Sequence, residues 1–85
     1  MAYQILFTPR AFRDLASLPE RDRERVAKRI DGLAKEPRPS GVKKLSGSDD
    51  IYRMRVGDYR VLYTIQDQVV TVAIVRVGHR RDIYR

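Results

Sequence analysis

From Ile51 to Ile65 apolar and charged or polar residues alternate with a period close to two, and Gly57-Asp58 interrupts them once. Tyr52, Met54 and Val56 alternate with Arg53 and Arg55 before the break; Tyr59, Val61, Tyr63 and Ile65 alternate with Arg60, Leu62 and Thr64 after it. A period of two marks a strand with one face buried, and two such runs joined by two residues point to an antiparallel hairpin. Glycine at the first loop position suits a type II′ turn. That turn sets the register: Val56 faces Tyr59, Arg55 faces Arg60 and Met54 faces Val61. Directly opposed residues point to the same side. Tyr52, Met54, Val56, Tyr59, Val61 and Tyr63 therefore form one apolar face that another layer must cover, while Arg53, Arg55 and Arg60 gather on the other.

The covering layer precedes the hairpin. Tyr3 to Phe7 reads as a short strand, and Thr8-Pro9 starts a helix with a capping hydroxyl and a proline at the first helical position. Phe12, Leu15 and Ala16 are expected to share its buried face, and Leu18-Pro19 ends it. A second, longer helix begins around Pro19-Glu20, with Val26, Ile30 and Leu33 on one face and Glu24–Lys28 and Asp31–Lys35 as favourable i, i+4 pairs. Pro37 and Pro39 end it. Arg38 to Asp50 reads as a polar, turn-rich stretch carrying Lys43, Lys44 and Gly47. Val69 to Val77 is nearly all β-branched and reads as a central, well-covered strand. The expected fold is α+β: two N-terminal helices packed on one face of a small antiparallel sheet, in the order β-α-α-β-β-β. Eighty-five residues suit a single domain over 1–85.

The formal net charge of +7 favours a polyanionic partner such as nucleic acid or an acidic protein. The chain has no cysteine and one histidine, which argues against a disulfide, a metal site or any cofactor that needs thiolate ligands. Charge and proline in MAYQILFTPR, and no apolar stretch of spanning length, lead us to expect a cytoplasmic protein with no membrane association. Within that frame the facing pair Arg55 and Arg60 stands out, because like charges directly opposite destabilise a hairpin. Packing does not call for it. Guanidinium groups hold phosphate well, since the planar fork donates in pairs and stays charged. The alternative is a solvated face with arginines splayed into water.

The stretch Tyr52-Arg53-Met54-Arg55-Val56-Gly57-Asp58-Tyr59-Arg60-Val61-Leu62-Tyr63 resembles the signature hairpin of RelE-type toxins of the RelE/ParE superfamily. Val77-Gly78-His79-Arg80-Arg81-Asp82-Ile83-Tyr84-Arg85 is similar to their C-terminal segment. Phe7-Thr8-Pro9-Arg10-Ala11, Asp14-Leu15, Leu18-Pro19 and Lys43-Lys44-Leu45-Ser46-Gly47 also fit, in order, over essentially the whole chain. The resemblance implies a RelE-like fold and a toxin of a type II toxin–antitoxin pair. Its RelE-like branch implies a ribosome-dependent mRNA endoribonuclease in which the ribose 2′-OH attacks the adjacent phosphate without metal or cofactor. The implied partners are a cognate antitoxin, the ribosome and mRNA, with operator DNA reached through the antitoxin. A different reading within the same fold is a ParE-like inhibitor of DNA gyrase that does no chemistry, and a third is an inactive toxin that only binds its antitoxin.

The family's functional positions fall by motif on Arg53, Arg55, Arg60, Arg80 and Tyr84. Arg60 and Arg80 are the expected clamps on the scissile phosphate, with Arg53 and Arg55 on flanking phosphates. Tyr84 is the expected proton acceptor or a platform for stacking a base; the plainer role is to seal the sheet edge. Two departures from the family pattern matter. Some members carry lysines where Arg53 and Arg55 stand, and the chain stops at Arg85 without the C-terminal helix of longer members. Lys43 and Lys44 are candidate RNA contacts from a loop, though loop lysines are usually only solvated. His79, beside Arg80 and Arg81, is expected to be neutral and structural, with a minor catalytic role as the alternative.

Overall fold

The computed structural model describes residues 2–45 and 50–82. Strand β1 (Gln4–Phe7) leads into helix α1 (Pro9–Ala16) and helix α2 (Glu20–Gly32). A two-residue strand β2 (Lys43–Lys44) precedes β3 (Ile51–Val56), β4 (Tyr59–Gln66) and β5 (Thr71–His79). The sheet order is β1-β5-β4-β3-β2. This is the expected pair of helices on one face of a sheet, with two additions. β1 runs parallel to β5, so the sheet is mixed, and Lys43-Lys44, in the stretch read as turn-rich, adds an edge strand antiparallel to β3. With β1 on one side and β4 on the other, β5 is central, which explains its β-branched run.

The hairpin register is the one its turn dictates: Val56 faces Tyr59, Arg55 faces Arg60 and Met54 faces Val61. The apolar face meets Ala11 of α1, Val26 and Ile30 of α2 and Leu33 just beyond it. The resulting core, with Met54, Val56, Val61, Tyr63, Val72, Ile74 and Val77, holds no residue more than 4% exposed. Burying a side chain the size of Ile30 or Val61 contributes about 1.5–3 kcal/mol. Tyr63 is buried too, and its hydroxyl donates to the Pro37 carbonyl at 2.8 Å, satisfying the polar tip.

Thr8 caps α1 as expected, its hydroxyl accepting from the Ala11 N–H with Pro9 at the start of the helix. The buried face of α1 differs from expectation: Ala11 is buried, whereas Phe12 is 64% exposed. The cause is the sheet edge. β1 covers β5 only as far as Ile74, and α1 takes over there. The Thr8 N–H donates to the Ile74 carbonyl, its hydroxyl donates to the Val75 carbonyl, and Asp14 accepts from the Val77 N–H. With Asp14 turned toward β5, Phe12, about 200° away around the helix, faces solvent.

Helix α2 ends at Gly32, earlier than the prolines alone suggest, and Leu33 to Lys35 continue in tight i→i+3 turns. The start of the last strand also differs. Asp67–Val69 form a short 3-10 turn, and Val70 takes the left-handed region at φ 50°, so β5 begins at Thr71. Near this turn an exposed clasp joins distant segments. Arg38 reaches both Asp67 oxygens at 3.2 and 2.9 Å, and its Nε donates to the Tyr52 hydroxyl at 3.2 Å. Tyr3 donates to Asp67 at 2.6 Å.

Candidate nucleic-acid interface

The hairpin tip depends on Gly57. Its φ is +60°, and Asp58 is not among the positive-φ residues, which is the type II′ pattern rather than I′. A Cβ at Gly57 would lie 2.8 Å from Nη2 of Arg25, so the guanidinium of an α2 arginine rests against the turn. Between α2 and the hairpin a groove of about 420 Å³ is lined by Arg25, Lys28, Arg29 and Val56.

The register arranges the face of the sheet opposite the helix-covered core in rows. Nearest the tip, Arg55, Arg60 and Gly78 lie side by side across β3, β4 and β5. The opposition of like charges is real, and Gly78 places no side chain next to Arg60, a common arrangement where a ligand approaches the backbone. The next row runs Lys43, Arg53, Leu62 and Arg76. Leu62, on the same face, is only 6% exposed; the arginines flanking it carry long apolar stems that can cover such a residue. Farther from the tip, Ile51, Thr64, Ala73 and Leu6 form an uncharged row. The face is thus basic at one end and uncharged at the other.

Other candidates separate along the same geometry. Lys43 shares the arginine face by pairing with Arg53, whereas Lys44 pairs with Tyr52 and holds its ammonium 5.8 Å from that ring on the helix side. Arg80 follows β5 directly; it is exposed, and its N–H donates to the Asp58 carbonyl at 2.8 Å, which fixes its backbone to the hairpin tip. His79 pairs with Tyr59 and so lies on the helix side, away from Arg53, Arg55 and Arg60. Its ring meets that of Tyr59 edge-on, centroids 5.7 Å apart. The Tyr59 hydroxyl donates to Asp22 of α2 at 3.1 Å, and burial, with that carboxylate, raises the Tyr59 pKa. Tyr84 lies outside the described residues.

Sequence reasoning missed Arg76 and Asp14. Register puts Arg76 beside Leu62 on the arginine face, where a bulge in the β4–β5 pairing begins. Its Nε donates to Asp14 at 2.9 Å, and the same carboxylate oxygen accepts the Val77 N–H at 3.1 Å. Arg76 is therefore charge-paired with Asp14. No sequence signal joins positions 62 apart. Among the described residues no three His, Asp or Glu side chains come close enough together to hold a metal ion, and no helix is long and apolar enough to cross a membrane.

Comparison with known proteins decides the family. The family described as "ParE toxin of type II toxin-antitoxin system, parDE" matches residues 5–84. Toxin RelG of Mycobacterium tuberculosis is 43% identical, with 100% of this chain and 99% of the relative aligned. The chain is a toxin of the RelE/ParE family. The mRNA interferase toxin RelE of Escherichia coli is 33% identical to this toxin over 94% of the chain and 85% of the relative. Among solved structures, the toxin–antitoxin complex RelBE2 of M. tuberculosis gives a TM-score of 0.84 at 38% identity, covering 94% of this toxin and 100% of that chain. The isolated E. coli RelE toxin gives 0.81 at 30% identity, over 98% of this toxin and 92% of that chain. The RelE-like fold, α+β with two helices on a five-stranded sheet, is thereby established for this toxin.

Proposed function

We propose that this toxin is a cytoplasmic, ribosome-dependent mRNA endoribonuclease, held in check by a cognate antitoxin that covers the arginine face. The observation that carries the reading is the Arg55–Arg60 pair, opposed on the face away from the helix-covered core with Gly78 beside it and Arg80 tied to the same tip. Support from relatives is the name of E. coli RelE as an mRNA interferase, and the solution of RelE proteins as complexes with RelB.

In this reading the 2′-oxygen attacks phosphorus to close a 2′,3′-cyclic phosphate, its proton passes to an acceptor, and the bond to the 5′-oxygen of the following nucleotide breaks, that oxygen taking a proton from solvent. Arg60 and Arg80 donate to the phosphate oxygens as charge builds on them; losing one such donor typically costs about 10²–10³ in rate. Arg53, Arg55 and Lys43 hold the flanking backbone, and Tyr84 is the proton acceptor. Tyrosine titrates near ~10 and arginine higher still, so neither exchanges protons readily at neutral pH. Most of the rate must then come from alignment and charge stabilisation, which a messenger held in a decoding site provides and flexible free RNA does not. An antitoxin segment over this face must bring acidic groups, because buried charge is tolerated only where it is paired.

The test is a labelled messenger with and without programmed ribosomes, comparing wild type with Arg60→Ala, Arg80→Ala and Tyr84→Phe. Rapid cleavage only with ribosomes, lost in the arginine variants, is expected. Equal cleavage in both conditions would remove ribosome dependence. The match to a family described by ParE makes gyrase inhibition the second reading; no cleavage in either condition, together with gyrase-linked DNA breaks, would establish it.

A further inference from the structure

We propose that His79 is a positioning residue: its neutral ring builds the turn that carries Arg80 and Arg81, and protonation of that ring releases the turn. Its consequence for RNA cleavage rests on the function proposed above; the positioning itself does not. Three hydrogen bonds define the turn. The Asp82 N–H donates to the His79 carbonyl at 2.9 Å, closing a four-residue turn with Arg80 and Arg81 at its centre. The Arg80 N–H donates to Asp58 of the hairpin. The Arg81 N–H donates to Nδ1 of His79 at 3.2 Å. A side chain at the first turn position that accepts from the N–H two residues on is the usual work of aspartate or asparagine. Histidine can do it only while Nδ1 bears no proton, because the imidazolium is a donor at both nitrogens.

The ring is held from behind. Tyr59 and His79 are opposed in the β4–β5 ladder and their rings meet at 80°, while Asp22 of α2 anchors the Tyr59 hydroxyl. A continuous path therefore runs from helix α2 through two rings to the backbone of the arginine turn. Among the described residues, the charged groups along this path include Asp22 of α2, which holds Tyr59, Asp58 of the hairpin, Arg25 against the hairpin tip, and Arg80, Arg81 and Asp82 of the turn itself. A proton on Nδ1 removes the acceptor of the Arg81 N–H whatever these neighbours do. Acidification thus turns a turn-forming side chain into one that repels its own donor.

The experiment uses the ¹⁵N-labelled full chain from cell-free synthesis. The His79 tautomer and the exchange protection of the Arg81 amide, corrected for intrinsic rates, are followed from about pH 8 to pH 5, the span in which histidine changes charge. Wild type should show Nδ1 without a proton at the upper end and lose Arg81 protection by about fivefold at the lower end, as expected for one hydrogen bond of ordinary net strength. His79→Asn, which keeps an acceptor that does not titrate, should hold that protection across the span. His79→Phe, which keeps the ring against Tyr59 without an acceptor, should lack it throughout. Protection in His79→Phe equal to wild type, a proton on Nδ1 at the upper end, or no change while the ring titrates would each overturn the proposal. With ribosomes and messenger, wild-type cleavage should fall on acidification relative to His79→Asn. Absence of cleavage at every pH would count against the proposed function and leave the amide result to decide the positioning role.

Discussion

Removing the carboxylate of Asp14 is the sharpest test of how the sheet edge is held. One oxygen serves two donors, the Arg76 guanidinium and the Val77 N–H, in a site where both ionic side chains are about four-fifths buried. In Asp14→Ala the backbone N–H beyond the reach of β1 loses its partner, and an unsatisfied N–H that is largely shielded costs about 1–3 kcal/mol. Arg76 can turn toward water, so the lost ion pair adds only about 0.5–1 kcal/mol. The sum, about 1.5–4 kcal/mol, corresponds to a fall in melting temperature of roughly 6–30 °C for a domain this small. Asp14→Asn keeps an acceptor for the N–H but not the charge, and should recover more than half of the loss. Urea denaturation of the three proteins, with Arg76→Leu and the double variant closing a cycle, separates the two contributions. A loss below about 0.5 kcal/mol in Asp14→Ala would show that the α1 cap on β5 contributes nothing appreciable. Equal losses in Asp14→Ala and Asp14→Asn would show that charge, not the backbone bond, is what matters.

Gly57→Ala should cost about 1–2 kcal/mol from the positive φ alone, and the same in an Arg25→Ala background, since the guanidinium can swing aside; calorimetry on the single and double variants checks this. Tyr63→Phe leaves the Pro37 carbonyl without its donor and should cost about 1–2 kcal/mol in chemical denaturation. In Asp67, hydrogen bonds from Arg38 and then Tyr3 hold the carboxyl below its usual pKa. A depressed carboxyl contributes stability above its unfolded pKa and loses it as pH falls through the folded one, so the margin of wild type over Asp67→Asn should be constant from pH 7 to about 5 and shrink below about 4. Arg80→Ala should abolish growth arrest in cells yet leave the melting temperature unchanged, because the side chain is exposed.

The hairpin was legible because one turn and a period of two determine every facing pair from Val56–Tyr59 to Tyr52–Tyr63. The face of α2 was legible for the same reason, Val26, Ile30 and Leu33 recurring at helical spacing. Phe12 misled because hydrophobicity favours it over Ala11, while Thr8 and Asp14 set the rotation of α1 through bonds to a strand some sixty residues away. Val69 and Val70 misled because β-propensity is a weak local preference, overridden where the chain must turn between β4 and β5. The parallel pairing of β1 was invisible, since alternation reports which face is buried and not which way a strand runs. At the site, the common face of Arg53, Arg55 and Arg60 followed from the turn. Placing His79 opposite them needed the β4–β5 register, which the bulge near Leu62 makes impossible to count from sequence.

The parallel partnership of β1 with β5 also bears on the time course of synthesis. Among the described strands, the first one made has as its only neighbour the last one made, and that last strand lies inside the sheet. Until β5 leaves the ribosome, β1 has nothing to pair with, and the β3–β4 hairpin lacks both its neighbour and the row that contains Gly78. Closing so long a loop is slow compared with forming the helices or the hairpin. The nascent chain therefore carries helices and a hairpin well before it carries an assembled arginine face, which is complete only once Gln4 is linked to Thr71 and Arg80 to Asp58.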